Sequence, residues 1–174
     1  MSSVIQFEPL WQHLTQGFHG SPYGIHGPAH WHRVERNGVL LCTRTGANRD
    51  LVRLFAMFHD SCRTNDGWDH GHGARAADYA ATLHGKFFIL SDDDFAILHY
   101  ACTWHTDGLH HEDPTIGTCW DADRLDLGRV SITPHPKFMS TSFGREIAAM
   151  GSVQPFVTPE VESAWSLINH PTPP

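Results

Sequence analysis

The run from Asp50 to Phe58 constrains this chain more than any other segment, because it is apolar on two faces at once and then stops at His59-Asp60. Leu51, Val52, Leu54, Phe55, Met57 and Phe58 leave little face for solvent, so the segment predicts a helix buried at the centre of the fold. Such a helix delivers its last residues into the interior as well. Burying an ionised carboxylate without a partner costs on the order of several kcal/mol. Asp60 therefore needs a partner, and a metal ion is the economical one.

The segments around this run read as helices too. Leu10, Trp11, Leu14 and Phe18 recur at helical spacing between Phe7 and Phe18, and turn-forming GSPYG follows. After Gly27-Pro28, positions His30, Val34, Gly38 and Leu41 line one helical face, which points His30 toward the interior. SCRTNDGWDHGHG (61–73) is polar and glycine-rich, a loop by composition. An alanine-rich helix is expected from Ala74 to Leu83, and another from Phe95 to Trp104, capped from the Ser91 to Asp94 stretch. Further helices are expected over Thr118 to Leu127, from Ser140 or Thr141 through Met150, and from Glu160 to Ile168, before a loose tail at 170–174. No convincing strand alternation, internal repeat or linker interrupts the series. The expectation is an all-α fold in one domain spanning 1–174.

Composition narrows the functions. A formal charge of −7 leaves no broad basic surface for a nucleic-acid polymer, while a small anionic substrate could be held locally by a cation or by converging arginines. No segment approaches eighteen apolar residues and the start lacks a signal-peptide pattern, so a cytoplasmic protein without a membrane partner is expected, with homo-oligomerisation open. Cys42, Cys62, Cys102 and Cys119 show no CxxC spacing and read as reduced thiols. Fifteen histidines are many for 174 residues, and position must decide which of them bind metal.

Imidazole and carboxylate ligands converging from separate elements suit Mn, Fe, Co, Ni, Zn or Mg. Three elements offer them here: His30, His59-Asp60, and either Asp121 or Asp123 in WDADRLDL. Asp121 could equally cap a helix, and Asp126 is expected to be solvated. His26, one turn before His30, reads as well for a pocket residue as for a surface one. His72, His110, His111 and His135 are expected to face solvent. Arg63, Arg75 and Arg124 could neutralise a phosphoryl group, Arg63 being first choice; Arg75 fits an ordinary surface ion pair slightly better. Trp31, Trp68, Trp104 and Trp120 suit core packing as well as substrate stacking.

Four motifs in order, HGPAHWHRV (26–34), FHD (58–60), DHGHGARAA (69–77) and WDADRLDL (120–127), resemble the HD-domain superfamily of metal-dependent phosphohydrolases. The resemblance covers about residues 26 to 130 and implies a helical bundle with a metal site in its core. It implies His30, His59, Asp60 and Asp123 as metal ligands, with Asp60 also orienting a water. Many nucleotidases of that family carry a proton-transferring acid three places after the HD aspartate. Arg63 stands there in this chain, so His105 or Asp66 is implied as proton donor, or the leaving group is stabilised by charge alone. Members with two metals place further histidines between the HD pair and the last aspartate, a role open to His70 and His105.

The leading expectation is a hydrolase of a small phosphorylated metabolite, such as a nucleotide, using one or two divalent ions. A di-iron oxygenase on the same scaffold would need His70 or His105 as ligands. A regulatory module that binds metal without turnover is the third reading.

Overall fold

The computed structural model describes residues 4–159 and 161–162. In chain order its helices are α1 (Phe7–Gly17), α2 (Pro28–Thr45), α3 (Arg49–Phe58), α4 (His72–Leu83), α5 (Asp92–Trp104), α6 (Pro114–Arg124) and α7 (Ser142–Met150). Short 3₁₀ turns at Leu127–Val130, Pro136–Phe138 and Gln154–Phe156 follow α6 and α7. The fold is helical, as expected. Two strands too short to show alternation, β1 (Val4–Ile5) and β2 (Phe88–Ile89), pair antiparallel with Ile5 opposite Phe88. The expected helix from Glu160 and the tail at 170–174 lie almost entirely outside the described residues.

Helix α3 is the axis of the core. Asn48 caps it, its side chain accepting from the amides of Asp50 and Leu51, and every residue from Leu51 to Phe58 except Arg53 is buried. Helices α2, α5 and α6 pack around it. Gly38 on α2 permits the closest approach, since a Cβ there would stand 2.4 Å from Val52 Cγ1. The same α2 face carries His30, Val34 and Leu41, all fully buried. Cross-links between helices fix the bundle: Arg53 Nε donates to buried Glu35 at 2.9 Å, Asn37 Nδ2 to the Ala122 carbonyl at 3.1 Å, and Trp120 Nε1 to the Ala101 carbonyl at 3.0 Å.

Two helix boundaries differ from the sequence expectation in ways that matter for chemistry. Helix α6 starts at Pro114, with Asp113 capping it, rather than at Thr118, and ends at Arg124. Asp126 therefore lies beyond the helix, where the chain turns back, and it is buried rather than solvated. Helix α4 starts at His72, two residues before the expected Ala74. That brings His72 onto the buried face of Ala76, Ala80 and Leu83. Trp31 and Trp120 pack in the core, while Trp104 is partly and Trp68 largely exposed, at 83%. The four cysteines are free.

Replacing Gly38 with Val would force α2 away from α3. Overpacking of this kind costs about 1–3 kcal/mol, so Gly38→Val is expected to lower the thermal midpoint by several degrees in a calorimetric or circular-dichroism melt.

Candidate metal centre

The end of α3 meets α2 and α6 at one buried point. His30 Nε2 lies 3.0 Å from His59 Nε2, 3.6 Å from Asp60 Oδ2 and 3.3 Å from Asp123 Oδ1. His59 Nε2 lies 3.6 Å from the same Asp60 oxygen and 3.9 Å from the same Asp123 oxygen. Ligands about 2.1 Å from a common ion stand roughly 3.0–3.5 Å apart at square or tetrahedral angles, close to this spacing.

The tautomers sharpen the case. His59 Nδ1 faces the carbonyl of Ala56 at 3.0 Å, and His30 Nδ1 faces Asp126 Oδ2 at 2.7 Å, so both must carry their proton on Nδ1 when neutral. Their Nε2 lone pairs then point at one another and at two carboxylates. Asp123 Oδ1 is buried and accepts no hydrogen bond. A proton on one nitrogen would serve one or two of these four acceptors, whereas a single divalent ion serves all four. Burial pushes the His59 imidazole down to about 3, so it stays neutral and ready to ligate. Burial also opposes charge on His30, but contact with Asp123 and Asp126 prevails and raises it. Burial would raise Asp60 and Asp123. Instead the facing histidines, with Arg129 beside Asp123, hold both carboxyls well below the ordinary range.

A second cluster repeats the arrangement on the other side of Asp60. His72 Nε2 is 3.0 Å from His105 Nε2, and Asp60 Oδ1 is 3.1 Å from the first and 3.6 Å from the second. Here too each Nδ1 is committed to a main-chain carbonyl: His72 to Asp69 and His105 to Cys102, both at 2.7 Å. Helices α4 and α5 touch closely enough for this because residue 73 is glycine; a Cβ there would stand 2.4 Å from the Cys102 carbonyl. Contact with Asp60 raises His105 against the opposing effect of its burial. His30, His59 and Asp60 form one group of side chains that could hold an ion, and Asp60, His72 and His105 form another.

The structure thus brings together His30, His59, Asp60, Asp123 and His105, all singled out from the sequence. His72, expected to face solvent, is instead 3% exposed, and takes the place considered for His70. His70 is exposed and accepts a bond from the Trp68 indole. Extending the α4 periodicity back from Ala80 and Ala76 by one turn lands on His72, the signal that distinguishes it. Asp121 is buried but spent: it accepts from the amides of Ser140 and Thr141 and the Thr141 hydroxyl, at 2.7, 2.8 and 2.8 Å, fixing the start of α7. Asp126 orients His30 and is held by Arg33 Nε at 2.8 Å, the carboxylate–histidine support typical of metal ligands.

The remaining predicted residues ring the site. Arg63 Nε donates to Asp60 Oδ1 at 3.0 Å. His26 is buried, with its Nδ1 3.3 Å from Asp66 Oδ1 and its ring 6.4 Å from that of His30; burial lowers its pKa. Arg75 makes a surface ion pair with both oxygens of Asp69, at 2.7 and 2.8 Å, and donates to the Cys62 and His70 carbonyls, pinning the 61–71 loop. It lies away from the ligand atoms. Arg124 is used by the carbonyls of Gly108, Leu109 and Phe138. Arg129, absent from every sequence motif, lies against Asp123, Nη2 to Oδ1 3.5 Å. A cavity of about 170 Å³ lined by Arg63, Trp68, His70 and Thr106 reaches His72.

The arrangement of helices is that of a known fold. Over 95% of this chain and 94% of the other, the structure superposes with a TM-score of 0.68 on the crystal structure of a predicted HD superfamily hydrolase from an uncultured Thermotogales bacterium, at 20% sequence identity. The chain has the HD-domain fold. No protein-family model and no curated protein matches it.

His72→Ala is expected to remove one ion while leaving the other, so metal content by elemental analysis should fall from about two to about one per chain. Gly73→Ala should act in the same direction by driving α4 off α5. A protein that keeps full metal content in both variants would exclude the second cluster as a site.

Proposed function

We propose that this protein is a metal-dependent phosphohydrolase acting on a small phosphorylated metabolite, with nucleotides among the candidates. The observation that carries this reading is the division of the Asp60 carboxylate, one oxygen facing the His30–His59 pair and the other the His72–His105 pair. Two cation positions sharing one carboxylate suit the displacement of a leaving group from phosphorus. The nitrogen-rich donor set favours Mn, Fe, Co, Ni or Zn over Mg, which prefers oxygen. When bound, such ions supply Lewis acidity and lower the pKa of a water toward neutrality.

The protein's own groups do the rest. Asp60 is oriented by Arg63, whose Nη1 is anchored on the Gly67 carbonyl at 3.2 Å. That guanidinium also brings positive charge to where a phosphoryl group would enter. His105 was a candidate proton donor, but its ring is committed between the Cys102 carbonyl and His72. His26, which burial keeps uncharged and whose Nδ1 faces Asp66, suits taking a proton from the attacking water rather than giving one, so the leaving group is stabilised by charge alone. The fold likeness to a predicted hydrolase agrees with this reading.

The second histidine pair is also what a di-iron oxygenase would need, so metal identity and turnover must be measured together. Elemental analysis with a phosphate-release screen over phosphomonoesters and nucleotides is expected to find divalent metal and released phosphate. Two irons per chain without phosphate release would favour the oxygenase, and metal without either turnover a regulatory module. His26→Asn is expected to lower kcat by about 100-fold with metal content unchanged.

A further inference from the structure

Most arginines near the two clusters have their donors occupied. Arg33 holds Asp126, Arg63 holds Asp60 and loop carbonyls, Arg75 holds Asp69, and Arg124 holds three carbonyls. Arg129 differs. It sits in the 3₁₀ turn Leu127–Val130 just beyond α6, its side chain only 10% exposed. Its Nε donates to the Ile25 carbonyl at 2.8 Å, which fixes the guanidinium next to His26. Its Nη2 lies 3.5 Å from Asp123 Oδ1, and its Nη1 is buried with no hydrogen-bond partner.

A buried guanidinium donor without an acceptor is costly, and natural proteins rarely leave one unless something else fills the place. Asp123 Oδ1 is likewise buried and unbonded. These two orphans are complementary to different things: the carboxylate oxygen to a cation, the guanidinium to an anion. Once a cation engages Asp123, the attraction between Asp123 and Arg129 weakens, and the guanidinium needs another negative partner. Five N–H groups in a planar fork suit phosphoryl oxygens.

We propose that Arg129 is a substrate-binding residue whose free Nη1 takes a non-bridging oxygen of the phosphoryl group. This rests on the phosphohydrolase reading above. It adds Arg129 beside Asp123 to Arg63 beside Asp60 as cations at the centre, and it gives the 127–130 turn a role in recognising the anion.

Inorganic phosphate is the probe, titrated calorimetrically into metal-loaded protein, with metal content measured on every sample. Arg129→Gln is expected to weaken phosphate binding at least about tenfold with metal content unchanged. Arg129→Lys keeps the charge beside Asp123 but cannot serve Ile25 and the anion together, and is expected to weaken binding by about fivefold. If Arg129→Gln loses metal, the lysine variant decides. Phosphate affinity within twofold of wild type in the metal-loaded variants overturns the assignment of Arg129 and leaves the phosphohydrolase reading intact. Metal-loaded wild-type protein that neither binds phosphate nor releases it from any ester overturns both.

Discussion

The structure depends on one buried carboxylate. Asp60 stands at the end of a helix buried from Leu51 onward except at Arg53, and both of its oxygens point at histidine nitrogens whose own protons are turned the other way. Arg63 compensates part of its charge. The rest calls for cations, because four imidazole lone pairs and a second carboxylate, Asp123, crowd the same space.

What makes these side chains a centre rather than a collection is the set of groups behind them. Each of the four histidines is held at Nδ1, three by main-chain carbonyls of their own or neighbouring turns and one by Asp126. Backbone carbonyls do not rotate, so ring orientation and tautomer follow from the local backbone, helical for His59 and His105 and a loop for His72. Asp126 is the exception, and it is steadied in turn by Arg33. Asp69 contributes twice, its carbonyl orienting His72 and its carboxylate anchoring Arg75, so the glycine-rich loop is tied down at the point where it delivers a ligand.

The HD-domain fold by itself says little about the reaction, since one fold serves several chemistries. The site says more. Its cations of protein origin, Arg63 and Arg129, flank the two carboxylates that face the clusters. His26, paired with Asp66, lies beside His30 as a further titratable group. Under the function proposed above, an anionic substrate and a water-derived nucleophile suit that distribution better than an apolar substrate would.

Helical periodicity was enough to read the bundle and the depth of α3, because burial pattern is a local property of the chain, whereas the grouping of His30, His59, Asp60 and Asp123, with Asp123 preferred to Asp121, came from the resemblance carried by the four ordered motifs. Neither was enough to choose between His70 and His72, or to see Asp126 and Arg129. Those choices turn on where helices begin and end: α4 opens two residues earlier than its alanines suggest, and α6, started by Asp113-Pro114, ends before Asp126. Once α4 reaches back to His72, that residue shares the buried face of Ala76 and Ala80, which is the difference between His72 in the core and His72 in water. The sequence by itself determined which residues can ligate; only the packing of α4 on α5 across Gly73, and the turn that follows α6, decided which of them meet.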